Sequence, residues 1–321
     1  MRLQTTNFTP NNTYYSCNKQ ENNKTNELPT LTKNLGAFPS YYCPNINFGS
    51  KFGEIDFEFD FYATANNIIN NHLDKMELTK NLTPKEREDF AKNLIPCDKP
   101  TLLQFLFDNK PSILLTGDLP YFENNDKYDF VRRTILSKGA NNKTIKFNNT
   151  FIINKELTKQ KISENKDFYS KRMELGKDTS VDKIYQKLIS EDSPLKKQTG
   201  YDDIIGITLG FPPMDSILFQ LEKGIPNYLQ IRNRPYAQAN FLQRELYSGD
   251  SVYKNFSQEF FTNVDAAIES IKRPQYRQKD LTPIGYIFTP FVPDEDYTKR
   301  IIKSSEKVLE NAQAFISEHQ K

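Results

Sequence analysis

The chain reads as a helix-rich α+β fold, with short antiparallel strands and a hairpin packed among several helices and an αα-corner over residues 201–223. Two observations predict that class. Runs with the periodicity of strands are scattered among helical runs without regular βαβ alternation, which argues against a doubly wound sheet. The stretch "YDDIIGITLGFPPMDSILFQLEKG" sets two apolar segments on either side of Gly-Phe-Pro-Pro, a locally specified corner.

Residues 1–50 are rich in Asn, Thr, Lys, Ser and Pro and poor in aliphatic side chains, so they bury too little surface to offset the entropy of ordering. They are expected to form a disordered, flexible leader, with docking through Tyr14-Tyr15 and Tyr41-Tyr42 as the alternative. Residues 51–321 are expected to form one α+β body, which would divide, if anywhere, at the linker-like 190–200 segment. At "EIDFEFDF", acids at 54, 56, 58 and 60 alternate with apolar residues at 55, 57, 59 and 61, the period of a two-faced strand. A helix is expected from Ala63 to Met76. The next helix start is the clearest in the chain: Thr83 as N-cap, Pro84 at the first position and Glu86 completing a capping box.

After Pro100, "TLLQFLF" is a short buried helix or strand, and "SILLTGD" a strand ending at Gly117-Asp118. "KTIKFNNTFIIN" carries two β-prone runs around Asn148-Asn149, which predicts a hairpin because Asn tolerates positive φ. Lys155 to Leu175 reads as one long charged helix closed by Gly176, and Ser180 starts another that runs to Ile189. In the corner, Gly210 ends the first helix and Pro213 opens the second, whose Met214, Ile217, Leu218 and Leu221 form one apolar stripe. Helices follow at "PYAQANFLQREL" and "SQEFFTNVDAAIESIK", then an extended run at "PIGYIFTPFVP". A closing helix, Asp294 to Glu318, has Ile301, Val308, Ala312 and Phe315 on its apolar face.

Composition excludes several function classes. With 43 Lys and Arg against 41 Asp and Glu the net charge is +2, so general attraction to nucleic acid or an anionic membrane is absent and any such binding needs a local patch. Cys17, Cys43 and Cys97 are odd in number and lack C-x-x-C spacing, which argues against a disulfide framework or zinc site and fits a reducing, cytoplasmic setting. No window has the roughly 18 to 20 apolar residues of a membrane helix, and the opening residues lack a signal-peptide pattern.

Several constellations raise sharper chemistry. A DNA-reading helix-turn-helix at the corner fails because its second helix begins Pro-Met-Asp-Ser, an acidic start that a phosphate backbone repels. The acidic ladder Glu54, Asp56, Glu58 and Asp60 lacks the glycine and closing acid of a calcium loop. "SKGANNKT" falls one residue short of phosphate-loop spacing and precedes a strand instead of a helix. A Cys43–His72 or Cys97–His72 pair has no supporting motif. Carboxylate catalysis needs only two positioned acids, which makes Asp118, Asp202 and Asp203 the catalytic candidates. "IKRPQYRQK" sets Lys272, Arg273, Arg277 and Lys279 around Tyr276, with Arg232, Arg234 and Arg244 as further cations; this is the candidate site for a charged ligand or single-stranded nucleic acid.

No family is recognised in these motifs. The expected function is that of a non-catalytic soluble protein acting through protein or peptide contacts, without metal or cofactor, off the membrane and without nucleic acid as a main partner. The alternatives are a hydrolase-like enzyme using carboxylates and a weak nucleic-acid or phospholigand binder through residues 272–279.

Overall fold

A computed structural model describes residues 52–95, 98–223, 234–272 and 296–319. Among them, eleven α-helices surround one three-stranded antiparallel sheet, the predicted helix-rich α+β class. The leader 1–50 and the extended run at 283–293 lie outside the described residues.

Strands β1 (Ser112–Thr116), β2 (Tyr128–Lys138) and β3 (Thr144–Asn154) are ordered β1-β3-β2, with β3 central. Phe151, Ile152 and Ile153 form a continuous apolar run because both faces of β3 are covered. Ile152 faces Ile113, Leu115 and Phe130 together with helices α2 (Pro84–Asn93) and α3 (Asp98–Leu106). Phe151 and Ile153 join Leu114 and Val131 against helices α4 (Lys155–Glu164), α5 (Lys166–Arg172), α6 (Val181–Ile189) and α7 (Asp202–Thr208). A third cluster joins α8 (Pro213–Glu222), α9 (Pro235–Leu246) and α10 (Gln258–Ser270). The fourth packs α1 (Phe52–Asn71) and α3 against the closing helix α11 (Asp296–His319).

Several local expectations hold for the physical reasons that produced them. Thr83 Oγ1 accepts from the Glu86 amide while Glu86 accepts from the Thr83 amide, the reciprocal capping box. Ser180 caps α6. At the corner, Gly210 has φ +87° and the Phe211 amide donates to Gly206 O at 2.9 Å, which closes α7 with a left-handed cap. Ile217, Leu218 and Leu221 are buried, so the corner's apolar stripe faces the core.

Three expectations are corrected. "EIDFEFDF" is not a strand but the start of α1. A strand would place Phe57, Phe59 and Phe61 on one face, whereas Phe61 is fully buried and Phe59 is 71% exposed. The spacing that decides is Phe57, Phe61, Ala65 and Ile68, which continues the helical stripe past the short alternating window. The hairpin turns at Gly139–Lys143 instead of Asn148-Asn149. Asn141 and Asn142 carry the positive φ, 64° and 57°, that Asn148-Asn149 were expected to supply farther along the chain. Finally, Lys155 to Leu175 is two helices broken at Asn165, and the second ends before Gly176 with Glu174 in the left-handed region at φ 56°. Within the 190–200 segment, Ser193 caps a short 3-10 turn at Pro194–Lys196 whose Leu195 is fully buried in the sheet-and-helix cluster.

Candidate functional site

All seven residues of α7 are buried, and its first two are aspartates. An apolar helix that begins Asp-Asp and inserts into a core must bring partners for both charges, since an uncompensated buried carboxylate is costly. Asp203 is met by Arg172 from α5 in a bidentate pair, Nε to Oδ2 at 2.6 Å and Nη2 to Oδ1 at 3.1 Å. It also accepts from the Tyr253 hydroxyl at 2.7 Å and from the Ile204 amide at 2.8 Å. The Arg172 guanidinium lies over the rings of Tyr201 and Tyr253, at 5.2 and 5.5 Å. Burial opposes its charge, but Asp203 outweighs that and holds Arg172 above its ordinary value. Burial also pushes the Tyr253 hydroxyl well up, with Asp203 adding to the shift, so it stays protonated and donates.

Asp202 faces a second set. Its Oδ1 pairs with Lys223, just past α8, and its amide donates to Gln220 Oε1 at 2.8 Å, while its buried Oδ2 has no hydrogen-bond partner among the described residues. Burial raises Asp202 and lowers Lys223 despite their mutual attraction, so desolvation exceeds the pairing. Arg133, projecting from β2 and 1% exposed, acts electrostatically on both, and burial lowers it as well. Farther along α8, Glu222 is buried and accepts from Gln238 of α9 at 3.0 Å. The arrangement ties α5, α7, α8 and α9 together through ionic and hydrogen-bonded groups.

Asp202 and Asp203 are thus neighbours in one buried network. Asp118 lies apart, half-exposed past the end of β1, 3.5 Å from Arg132. Lys272 forms a 2.5 Å pair with Glu269 one turn back, while Arg273, Tyr276, Arg277, Lys279 and Arg232 lie outside the described residues. Arg234 is exposed before α9, and the Arg244 guanidinium sits 4.7 Å from the Phe241 ring centroid. His72 is buried against Phe315 and His319, and Cys43 and Cys97 lie outside the described residues. Because α1 is helical, alternate positions 54 to 60 do not share a face. "SKGANNKT" forms the hairpin tip. Among the described residues no group of three or more His, Cys, Asp or Glu is placed to hold a metal, and no helix is long and apolar enough to cross a membrane.

Sequence reasoning found the two aspartates but missed Arg133, Arg172, Lys223 and Tyr253, which come from elements far apart in the chain. The available signal was the Asp-Asp start on an otherwise apolar segment, which demands buried cations from elsewhere. No family model, curated protein or solved structure matches this chain.

Proposed function

We propose that the protein acts by contact with another protein or a peptide, in the reducing cytoplasmic setting that its odd number and wide spacing of cysteines favour, and not by catalysis. The observation that carries this is the outer stripe of α9. Tyr236, Asn240, Gln243 and Tyr247 fall at i, i+4, i+7 and i+11, one helical face, and Tyr236 and Tyr247 are 68% and 54% exposed. Arg244 borders the stripe. Tyr and Arg are the side chains most enriched at binding hot spots. Tyr247 is already held in place, stacked on Phe261 at 5.3 Å with its hydroxyl bonded to Asp265, so little ordering entropy remains to be lost on binding. Asp202 and Asp203, by contrast, are engaged in cross-linking the helices, and Asp118 sits at the surface beside Arg132.

The test uses the full chain as bait in extract of the cells that produce it, with and without Tyr236→Ser/Tyr247→Ser and with and without residues 1–50. Partners whose recovery falls about tenfold or more in the tyrosine variant support the reading, in line with hot-spot losses above 1 kcal/mol. An unchanged set of partners, with unchanged circular dichroism, sinks it. The carboxylate alternative keeps one observation in its favour, the buried Oδ2 of Asp202, which has no hydrogen-bond partner among the described residues. Hydrolysis of p-nitrophenyl esters or phosphates that disappears in Asp202→Asn would move the assignment there.

A further inference from the structure

The β2–β3 hairpin outruns the sheet. β1 pairs with β3 only as far as Thr116↔Asn149, whereas β2 and β3 continue for five more pairs, from Thr134↔Asn148 to Lys138↔Thr144. At about 3.4 Å per residue this is a two-stranded ribbon roughly 17 Å long that extends past β1, with Ile135 buried near its base. It ends in the tight turn in which the Gly139 amide donates to Lys143 O at 2.8 Å. Lys138, Lys143 and Lys146 are exposed on it and form no ion pair among the described residues, and Asn141 and Asn142 are exposed at its tip. From Phe130 to Asn154 the chain has five charged residues, all cationic; Arg132 lies beside Asp118 and Arg133 is buried, so the three lysines are the charges the ribbon presents.

We propose that this ribbon is a docking surface for duplex DNA, its three lysines contacting phosphates and its tip entering the major groove. Charge complementarity carries the assignment. Lysines on open strands also protect edges from pairing with other chains, but either sign of charge serves that end, whereas here one sign prevails throughout an overall near-neutral chain. The width of the ribbon fits, since the B-form major groove, about 12 Å wide, admits a two-stranded β-ribbon. The deep, narrow major groove of an A-form RNA helix does not. Single strands are bound on arrays of stacking rings, whereas the ribbon carries one ring, the half-buried Phe147, among exposed Thr134, Leu136 and Asn side chains. Exposed amides at Asn141 and Asn142 are groups that can read base edges.

The experiment is fluorescence anisotropy of the full chain with a labelled duplex of about 20 base pairs, titrated in salt from about 50 to 200 mM. Three phosphate contacts predict a log–log slope near −2.7, hence about 40-fold weaker binding across that range. Lys138→Gln/Lys143→Gln/Lys146→Gln lies on exposed positions, so it keeps its fold by circular dichroism and loses most of the affinity and of the slope. Four results overturn the proposal: no binding at low salt, equal binding by the triple variant, preference for single-stranded DNA or duplex RNA, and equal retention on anionic phosphatidylserine vesicles.

Discussion

Lys110 shows how a single buried charge is tolerated. It is 1% exposed, donates to Leu209 O at 2.6 Å where α7 ends, and lies 4.8 Å from the Phe211 ring centroid. A helix C-terminus is a favourable place for a cation, and the ring face adds to that, yet burial still pushes the ammonium down to about 7. The sign follows from proton counting. Between pH 7 and about 10.5 the unfolded chain keeps the proton and the folded chain has released it, so this group makes stability rise with pH across that window and not below it. Lys110→Met removes that dependence. Unfolding in urea at pH 6, 8 and 10 is therefore expected to show the stability of the variant relative to wild type declining above pH 7, by at most about 1.4 kcal/mol per pH unit. A difference that stays flat from pH 6 to 10 means that the ammonium is solvated in the native state.

At the scale of elements, the α7–α8 corner depends on one missing side chain. A Cβ built on Gly206 would meet Ser216 Oγ at 2.5 Å and Ser216 Cβ at 2.9 Å, so the two helices touch where only hydrogen fits. In an isolated helix Gly206→Ala would gain about 1 kcal/mol from propensity; here overpacking reverses the sign and costs about 1–3 kcal/mol. Adding Ser216→Gly should recover part of that loss in a double-mutant cycle, and a stabilising Gly206→Ala would show that the helices are not in close contact. This corner was legible in the sequence because its determinants, Gly210, Pro213 and the stripe from Met214 to Leu221, are local. So was the capping box at Thr83. The failures share a cause: the information was not in the window being read. Eight residues of "EIDFEFDF" satisfy a strand period, and only Ala65 and Ile68 downstream show that Phe57 and Phe61 belong to a helical stripe. Asn148-Asn149 and Asn141-Asn142 have the same turn chemistry, and pairing with β1 is what keeps Asn149 extended. The buried network was legible only on its acidic side, since Arg133, Arg172, Lys223 and Tyr253 converge from four separate elements.

Across the whole molecule, the four apolar clusters are not equally coupled. Two share the sheet, one on each face, so loss of β3 undoes both. The fourth joins α11 to α1 and α3 through Val308, Leu309, Ala312 and Ile316 against Phe61, Ala65, Ile68 and Leu103, with a buried 2.7 Å bond from Gln104 to Ser305. Its far end is held by rings: His319 stacks on Phe315 at 4.1 Å and His72 meets Phe315 edge-on at 6.1 Å, which brings both histidines of the chain to one spot. Because the apolar packing of α11 among the described residues is against α1 and α3 and not against the sheet, it should open as a unit at less than the global unfolding free energy. Ala312 is fully buried at the centre of that seam, so Ala312→Asp places an unpaired charge there and should detach α11. Phe315→Ala is the milder variant, expected to loosen only the last turns through lost ring packing. Amide exchange in Ala312→Asp is then expected to accelerate throughout α11 and along α1, while β1, β3 and α7 keep their protection. If the sheet amides accelerate to the same extent as those of α11, the closing helix belongs to the same cooperative unit as the sheet, and the ranking of the four clusters is wrong.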